Sequence, residues 1–398
     1  MHETCDREIL KQPDRNFASA RLGIIGGGQL ARMTALAALP LGCEVSILEQ
    51  NPLSPAAQLT PLTVTGDWTD AETLRRFAAE ADVITLENEF VDAAVLRRLE
   101  EAGHKVFPTS ASIALTQDKL LQKEALVRAG LPVPGFRSVD SPEALAAAGE
   151  TLGWPLVLKT RRNGYDGKGN FTVRSPADIP AGWRALRGDI NELLVEAFWR
   201  FTKELAVIVT RGRDGETVTY PVVETVQRDH VCHVVQAPAS VTPEIAARAT
   251  EIALRAVTAV GAVGSFGVEL FLAVTGEIAV NELAPRVHNS GHYTIEACEC
   301  SQFENHVRAV LGWPLGNTRM IAPAAVMLNL LGTQRAPGRP LGLERALAVP
   351  GAHVHLYGKA MCGAGRKMGH VTALGQTVDE AMATARLAAN AIHFDPIK

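Results

Sequence analysis

The sequence has no excess of basic residues: 39 Lys and Arg stand against 43 Asp and Glu, a net charge of −4 over 398 residues. That balance argues against nucleic acid and anionic membrane as partners, because neither counterion release nor a polybasic anchor is available. Aromatic residues amount to 5%, too few for a surface that stacks exposed bases. Long apolar runs are missing too. The longest apolar window, 256–274, is broken by Gly261, Gly264, Gly267 and Glu269 and reads as helix, turn and strand rather than a bilayer span. The amino terminus carries Glu3, Asp6 and Glu8 instead of a basic start and apolar stretch, so no secretory signal is read and the chain is expected in the cytoplasm. Six cysteines are scattered without CxxC or zinc-finger spacing and read as reduced, packed thiols. No internal repeat or low-complexity tract is present. The remaining composition, 47% hydrophobic and 21% charged, suits two or three globular domains acting on a small ligand.

After a polar arm at 1–20, apolar runs at 22–25, 44–48, 82–86 and 105–107 alternate with helical patterns, which predicts βαβ units and a parallel sheet. Helical spacing over 117–129 ends at Leu131-Pro-Val-Pro134, a domain boundary. Short, turn-separated strands are then expected at 155–159, 171–173, 193–196, 204–210, 218–223 and 231–235, the pattern of an antiparallel sheet. A helix at 243–260 precedes a hairpin. A long helical stretch is expected after His292, then a Gly- and Pro-rich passage at 332–343, strands near 354–356 and 370–373, and a closing helix at 378–391.

Gly26-x-Gly28-x-x-Ala31 with Glu49 downstream fits a dinucleotide fingerprint, which alone predicts a dehydrogenase. The same turn also serves any phosphate or carboxylate at a helix start. A stronger feature lies at 268–282, two apolar runs around Thr275-Gly276. A two-residue turn there sets Glu269 opposite Glu282 on one face. Facing carboxylates repel unless a cation bridges them, and oxygen-only ligands suit Mg²⁺ shared with substrate phosphates. A slipped register would instead leave both acids in solvent. Asn281 points to the other face unless a bulge intervenes. The loop Asn163-Gly-Tyr-Asp-Gly-Lys-Gly169 has the glycines of a phosphate cover but no Gly-Lys-Ser/Thr of a Walker A loop. Lys119 and Lys159 could add cations beside it. Arg286, His288, Asn289 and His292 crowd an irregular segment suited to an anion. The His288/His292 pair lacks the glutamate of a zincin. Lys359, Arg366 and Lys367 supply further cations.

Together Lys119, the strand ending at Lys159, Gly164-Tyr-Asp-Gly-Lys-Gly169, Glu196 to Glu204, and Glu269 with Asn281-Glu282 resemble the ATP-grasp superfamily. Gly26-Gly-Gly-Gln-Leu30, Gln122-Lys123, Arg161-Arg-Asn-Gly-Tyr-Asp-Gly-Lys168, Asn281 to His292 and Gly365-Arg-Lys367 narrow the resemblance. They match the ligases that make 5-(carboxyamino)imidazole ribonucleotide in purine biosynthesis. The resemblance implies a fold mixing α/β and α+β. An amino-terminal parallel-sheet αβ domain (21–114) would precede a two-lobed ATP-grasp domain (115–315, smaller lobe about 150–200) and a small carboxyl-terminal domain (316–398).

The resemblance also implies the site. Lys119 and Lys159 would contact ATP phosphates, and Gly164, Tyr165, Asp166, Gly167, Lys168, Gly169 and Asn170 would cover them. Glu196, Ala197, Phe198 and Trp199 would border adenine, Glu204 would hold ribose, and Gln227 falls at another nucleotide-contact position. Glu269 and Glu282 would hold Mg²⁺, with Asn281 nearby. Arg286, with His288 and Asn289, would take bicarbonate and carboxyphosphate. Tyr165 and Asp166 would reach the aminoimidazole, Asp166 as a proton acceptor, with Glu87 and Glu89 also on the substrate side. Lys359 and Arg366 would hold the ribonucleotide phosphate, assisted by Gly28, Gln29 and Leu30. A homodimer is expected by resemblance. Many relatives place phenylalanine between two acids where this chain reads Glu87-Asn88-Glu89-Phe90. The rival expectations are a formate-using glycinamide ribonucleotide ligase, a dehydrogenase, and a nonenzymatic nucleotide-binding subunit.

Overall fold

A computed structural model describes residues 19–164 and 167–394. The amino-terminal arm through residue 18, Tyr165 and Asp166 lie outside the described residues. Strands β1 (Arg21–Ile25), β2 (Glu44–Glu49), β3 (Thr63–Thr65) and β4 (Val83–Leu86) form a parallel sheet of order β3-β2-β1-β4. Leu22, Ile24, Ile25, Ile47 and Leu48 are all fully buried, as expected of a parallel sheet covered on both faces. Helix α1 (Gln29–Ala38) starts at the carboxyl end of β1. Helix α2 (Lys119–Arg128), capped by the Asp118 carboxylate, leads into the second part of the chain.

Strands β5 (Phe136–Val139), β6 (Leu156–Thr160), β7 (Asn170–Val173) and β8 (Leu193–Ala197) make an antiparallel sheet of order β5-β8-β6-β7. Leu156, Leu158, Val173, Trp183 and Val195 form its core. The larger sheet has nine strands. It comprises β9 (Lys203–Arg211), β10 (Thr217–Thr219), β11 (Val223–Arg228), β12 (Val231–Ala237), β13 (Gly264–Leu272), β14 (Ile278–Ala284), β15 (Ala324–Leu331), β16 (Ala352–Leu356) and β17 (Lys367–Gly375). Their order is β14-β13-β9-β11-β12-β15-β17-β16, with β10 paired to β9. Helices α3 (Pro243–Ala259), α4 (Gln302–Leu311) and α5 (Val378–Ala389) pack on it. Among the described residues no helix is long and apolar enough to cross a membrane.

The structure differs from the sequence reading in several places, three of which shape the large sheet and the helix packed on it. The strand expected at 218–223 is split into β10 and β11, because Pro221 lacks the N–H a ladder needs. The helix expected after His292 breaks into Thr294–Ala297 and α4. Ser301 starts α4 afresh by accepting the Glu304 N–H. The run Ala324–Leu331, read as no particular element, is the central strand β15 that carries the large sheet into the carboxyl-terminal segment.

Buried His306 on α4 joins the first sheet to the large one. Its Nδ1 accepts the Ser265 N–H at 3.1 Å, so Nε2 carries the proton toward Thr85 Oγ1 at 2.9 Å. Burial pushes its pKa down from 6.5 to about 4. The unfolded chain therefore takes up this proton more readily than the folded one. Stability falls as pH drops from about 6.5 toward 4, by about 2 kcal/mol at about pH 5 from this ring alone. Urea unfolding at about pH 7.5 and about pH 5 checks this. His306→Gln is expected to narrow the gap between the two conditions, and an undiminished gap would place the acid sensitivity elsewhere.

Candidate active site

The β13–β14 hairpin is built differently from the two-residue turn expected. Ala273 N–H donates to Glu277 O at 2.9 Å and Gly276 N–H to Ala273 O at 3.0 Å, so the turn holds Val274, Thr275 and Gly276. Gly276 takes φ +85°, which glycine adopts without strain. Pairing runs Leu272 with Ile278 and Leu270 with Val280, then shifts by one residue at Asn281, and Glu269 comes to oppose Glu282. The longer turn and the bulge offset each other, and the two acids face as expected. The bulge also brings Asn281 round: its Nδ2 donates to Glu269 Oε2 at 3.1 Å.

These acids line a cleft of about 1450 Å³. Its enclosing walls, then Glu282 and Glu204, raise the Glu269 pKa to about 7. Glu282 Oε1 accepts from Lys119 Nζ. Burial works against the Lys119 charge, but Glu282 together with Glu196 and Glu89 outweighs it and holds the ammonium above its ordinary pKa. Lys159 on β6 donates to Glu196 Oε2 at 3.0 Å and lies 3.5 Å from Asn281 Oδ1. Both lysines expected on phosphates thus rest on carboxylates here, between the lobes. The Glu196 carboxylate, read as an adenine neighbour, is buried and gripped by Lys159 and by Lys123 at 3.2 Å.

Beyond the hairpin, Arg286 reaches back to the first domain and forks onto Glu89, Nε to Oε2 at 2.6 Å and Nη2 to Oε1 at 3.2 Å. Burial opposes both charges, yet the pairing lowers the Glu89 pKa and raises that of Arg286. His288 is neutral, its pKa pushed well down by burial and then by Arg286 and Lys367. Its Nδ1 faces the Ser290 hydroxyl at 2.8 Å and its Nε2 faces Glu269 Oε1 at 3.5 Å. Asn289 is a correction: it borders the cleft, but its side-chain amide is occupied by a reciprocal pair of hydrogen bonds with Asn329, 3.0 and 2.7 Å. His292 is fully buried, its Nδ1 facing Gln302 Nε2 at 3.2 Å.

The glycine loop closes over β6, with the Thr160 N–H on Gly169 O at 2.8 Å. Gly167 and Gly169 both take positive φ, and a Cβ on Gly167 would lie 2.4 Å from His230 Cβ. The tip of the β11–β12 hairpin therefore sits against the loop. Gly164, Gly167, Lys168 and Asn170 line the cleft, as do Ala197, Phe198 and Trp199. Gln227 lies on β11 opposite the point where His233 bulges β12, and it acts on Glu204 against burial, which raises the Glu204 pKa. Among the described residues, buried Trp199 Nε1 and Glu204 Oε2 have no hydrogen-bond partner.

At the far end, Gln29, Leu30, Glu87, Lys359 and Arg366 line the same cleft. The glycine turn corrects the expectation of open amides. Gly28 N–H donates to Glu87 Oε2 at 2.7 Å, Leu30 N–H to Oε1 at 3.3 Å, and Gly27 N–H to Glu49 Oε2 at 2.8 Å. Glu87 caps α1 in place of the missing N-cap side chain. A pyrophosphate would meet two carboxylates there, which ends the dehydrogenase reading. Burial raises the Glu87 pKa, with the Gly28 and Leu30 amides and then Lys359 acting in the opposite sense.

Residues 19–117 match the ribonucleotide synthetase preATP-grasp domain, 124–303 the ATP-grasp domain and 325–384 the phosphoribosylaminoimidazole carboxylase C-terminal domain. The chain is 41% identical over 379 residues to the N5-carboxyaminoimidazole ribonucleotide synthase of Mycobacterium bovis, covering 94% of this chain and 88% of that protein. The chain belongs to the N5-carboxyaminoimidazole ribonucleotide synthase family. Two crystal structures of the Aspergillus clavatus synthase, one with ATP and one with ADP and 5-aminoimidazole ribonucleotide, each superpose with TM-score 0.86. They are 40% and 39% identical to it, covering 94% of this chain and 98% of theirs. Against the phosphoribosylaminoimidazole carboxylase of Ogataea methanolica, 43% identical, the match covers 91% of this chain but 68% of the longer relative.

Where this synthase-family chain reads Glu87-Asn88-Glu89, Asn88 Oδ1 accepts the Phe90 N–H at 3.0 Å. That local turn sends Glu87 to the glycine turn and Glu89 to Arg286. Sequence reasoning missed the Arg286 pairing, the Asn289–Asn329 pair, His230 and the buried Lys123. The resemblance includes Gln122-Lys123 but assigns neither a role.

Proposed function

We propose that the chain carboxylates the exocyclic amine of 5-aminoimidazole ribonucleotide at the expense of ATP and bicarbonate, giving 5-(carboxyamino)imidazole ribonucleotide, ADP and phosphate. The observation that carries this reading is the single cleft that unites the facing Glu269 and Glu282, the Arg286 fork and the cations Lys359 and Arg366. A bicarbonate oxygen attacks the γ-phosphorus as the bond to ADP breaks, giving carboxyphosphate. The amine nitrogen then bonds to the carboxyl carbon, phosphate leaves, and the nitrogen gives up a proton, for which Asp166 is the acceptor by resemblance.

Mg²⁺ fits the residues present. Two carboxylates and an amide oxygen are hard donors, and the raised Glu269 pKa marks a carboxylate pair short of positive charge. Among the described residues no group of three or more His, Cys, Asp or Glu could hold a metal alone, as suits an ion that completes its shell with phosphates and water. When bound, Mg²⁺ neutralises charge on the transferring phosphoryl group. Lys119 and Lys159 turn from Glu282 and Glu196 to the phosphates, and Gly164 to Asn170 cover them. Arg286, oriented by Glu89, holds bicarbonate, with neutral His288 beside it. Lys359 and Arg366 hold the ribonucleotide phosphate, together with Gln29 rather than the Gly28 and Leu30 amides that Glu87 occupies. Ala197 to Trp199 border adenine and Glu204, with Gln227 beside it, takes the ribose. A cytoplasmic homodimer belongs to the same reading by resemblance.

Phosphate release from MgATP and bicarbonate, with and without 5-aminoimidazole ribonucleotide, tests the reaction. Strong dependence on both the amine and bicarbonate is expected. Release that follows formate and glycinamide ribonucleotide instead would replace this reading with the formate-using ligase.

A further inference from the structure

Strand β14 is the edge of the large sheet, yet its outward backbone groups are not left to solvent. Helix α2 and the loop after it occupy them. Gln122 Nε2 donates to Leu283 O at 2.9 Å while Gln122 Oε1 accepts the Leu283 N–H at 2.8 Å. A primary amide thereby reproduces the paired bonds of a neighbouring strand's peptide. Lys123 Nζ donates to Asn281 O at 3.3 Å, and the Val280 N–H donates to Pro132 O at 2.8 Å. In a regular strand outward N–H groups recur at every second residue. Here they fall at 280 and 283, and the odd interval is the bulge at Asn281. Lys119, Gln122 and Lys123 share one face of α2 at i, i+3 and i+4 and engage Glu282, Leu283 and Asn281 in turn. Gln122 and Lys123 are 1% and 2% exposed, a degree of burial that such residues tolerate only when their polar atoms are used.

We infer that Gln122 and Lys123 are positioning residues: they template the bulged outer edge of β14, and so fix the register that sets Glu282 opposite Glu269. The inference rests on the metal role proposed above for those two acids. Without the template, the bulge has no partner for its displaced carbonyl. A one-residue slip of β14 would then carry Glu282 to the opposite face of the sheet.

The test uses the full chain and Mn²⁺ as probe, its binding followed by electron paramagnetic resonance in the presence of ADP. Gln122→Glu keeps an acceptor for the Leu283 N–H and loses the donor, whereas Gln122→Met loses both. Each is expected to weaken Mn²⁺ binding roughly 10–100-fold, the range seen when a group that orients a metal ligand is removed. The KM for 5-aminoimidazole ribonucleotide should stay unchanged. Adding Gln122→Glu to Glu282→Gln should weaken binding no further than Glu282→Gln alone, because the two act through one carboxylate. Unaltered Mn²⁺ affinity in Gln122→Glu, with Glu282→Gln clearly impaired, would overturn the positioning role and spare the metal reading. Unaltered affinity in Glu282→Gln would overturn the metal reading itself. Hydrogen exchange on the unsubstituted chain gives a check that needs no variant. The Leu283 amide should be protected, and exchange at the rate of an open loop would overturn the template.

Discussion

Replacing Glu282 by Gln is expected to lower turnover roughly 10²–10³-fold while shifting the thermal midpoint by no more than about 3 °C. The variant keeps the size and hydrogen-bonding reach of the side chain, so β14 and its pairing with β13 remain. It removes one of two facing charges and leaves Lys119 on a neutral oxygen in place of the carboxylate it now contacts. Stability changes little because Glu282 is partly open to the cleft, its side chain 35% exposed, and because Glu196 and Glu89 still act on Lys119. The chemical step suffers because charge on the transferring phosphoryl group loses a stabilising centre. Phosphate release under saturating substrates, set beside a melting curve, decides the matter. Near-normal turnover would remove Glu282 from the metal site.

Arg286→Lys is expected to cost about 100-fold in turnover and to raise the ratio of ADP formed to carboxylated product. The charge survives, but an ammonium cannot grip Glu89 through two parallel bonds and still present a planar donor pair to a carbonate oxygen. Poorly held carboxyphosphate would break down before the amine captures it, so ADP and product should be counted separately in the same reaction. A variant that turns over slowly but remains fully coupled would confine Arg286 to phosphoryl transfer. One that keeps both rate and coupling would remove it from the site.

What could be read from residue order follows the range of the interactions. Alternating apolar residues around Val268 to Glu282 disclose a hairpin and its two acids, because strand periodicity is local. Even there, the register came out right through two offsetting features, the third turn residue and the Asn281 bulge. Neither has a sequence signature strong enough to read. The run Ala324–Leu331 is apolar except for Asn329, with no period to tell a doubly buried strand from a helix. The glycine turn could be read as a turn but not by its occupant, since Glu87 lies 59 residues beyond Gly28. The fork between Arg286 and Glu89 spans 197 residues and joins two domains. Such contacts are fixed only by how the domains pack, and single-chain patterns hold no trace of them.

The large sheet runs unbroken from β14 at one border to the carboxyl-terminal strands at the other. β15 shields the flank of β12 along Val234 to Ala237, and Asn329 within it bonds both Asn289 and the Cys232 carbonyl. A chain shortened ahead of β15 would leave that flank as a bare, apolar template for self-association. It would also unfasten Asn289, which Asn329 holds from the neighbouring domain. The carboxyl-terminal segment from β15 on is therefore no detachable accessory. Attempts to exchange it for that of a distant relative must carry β15 across intact, or they will yield aggregates in place of chimeras.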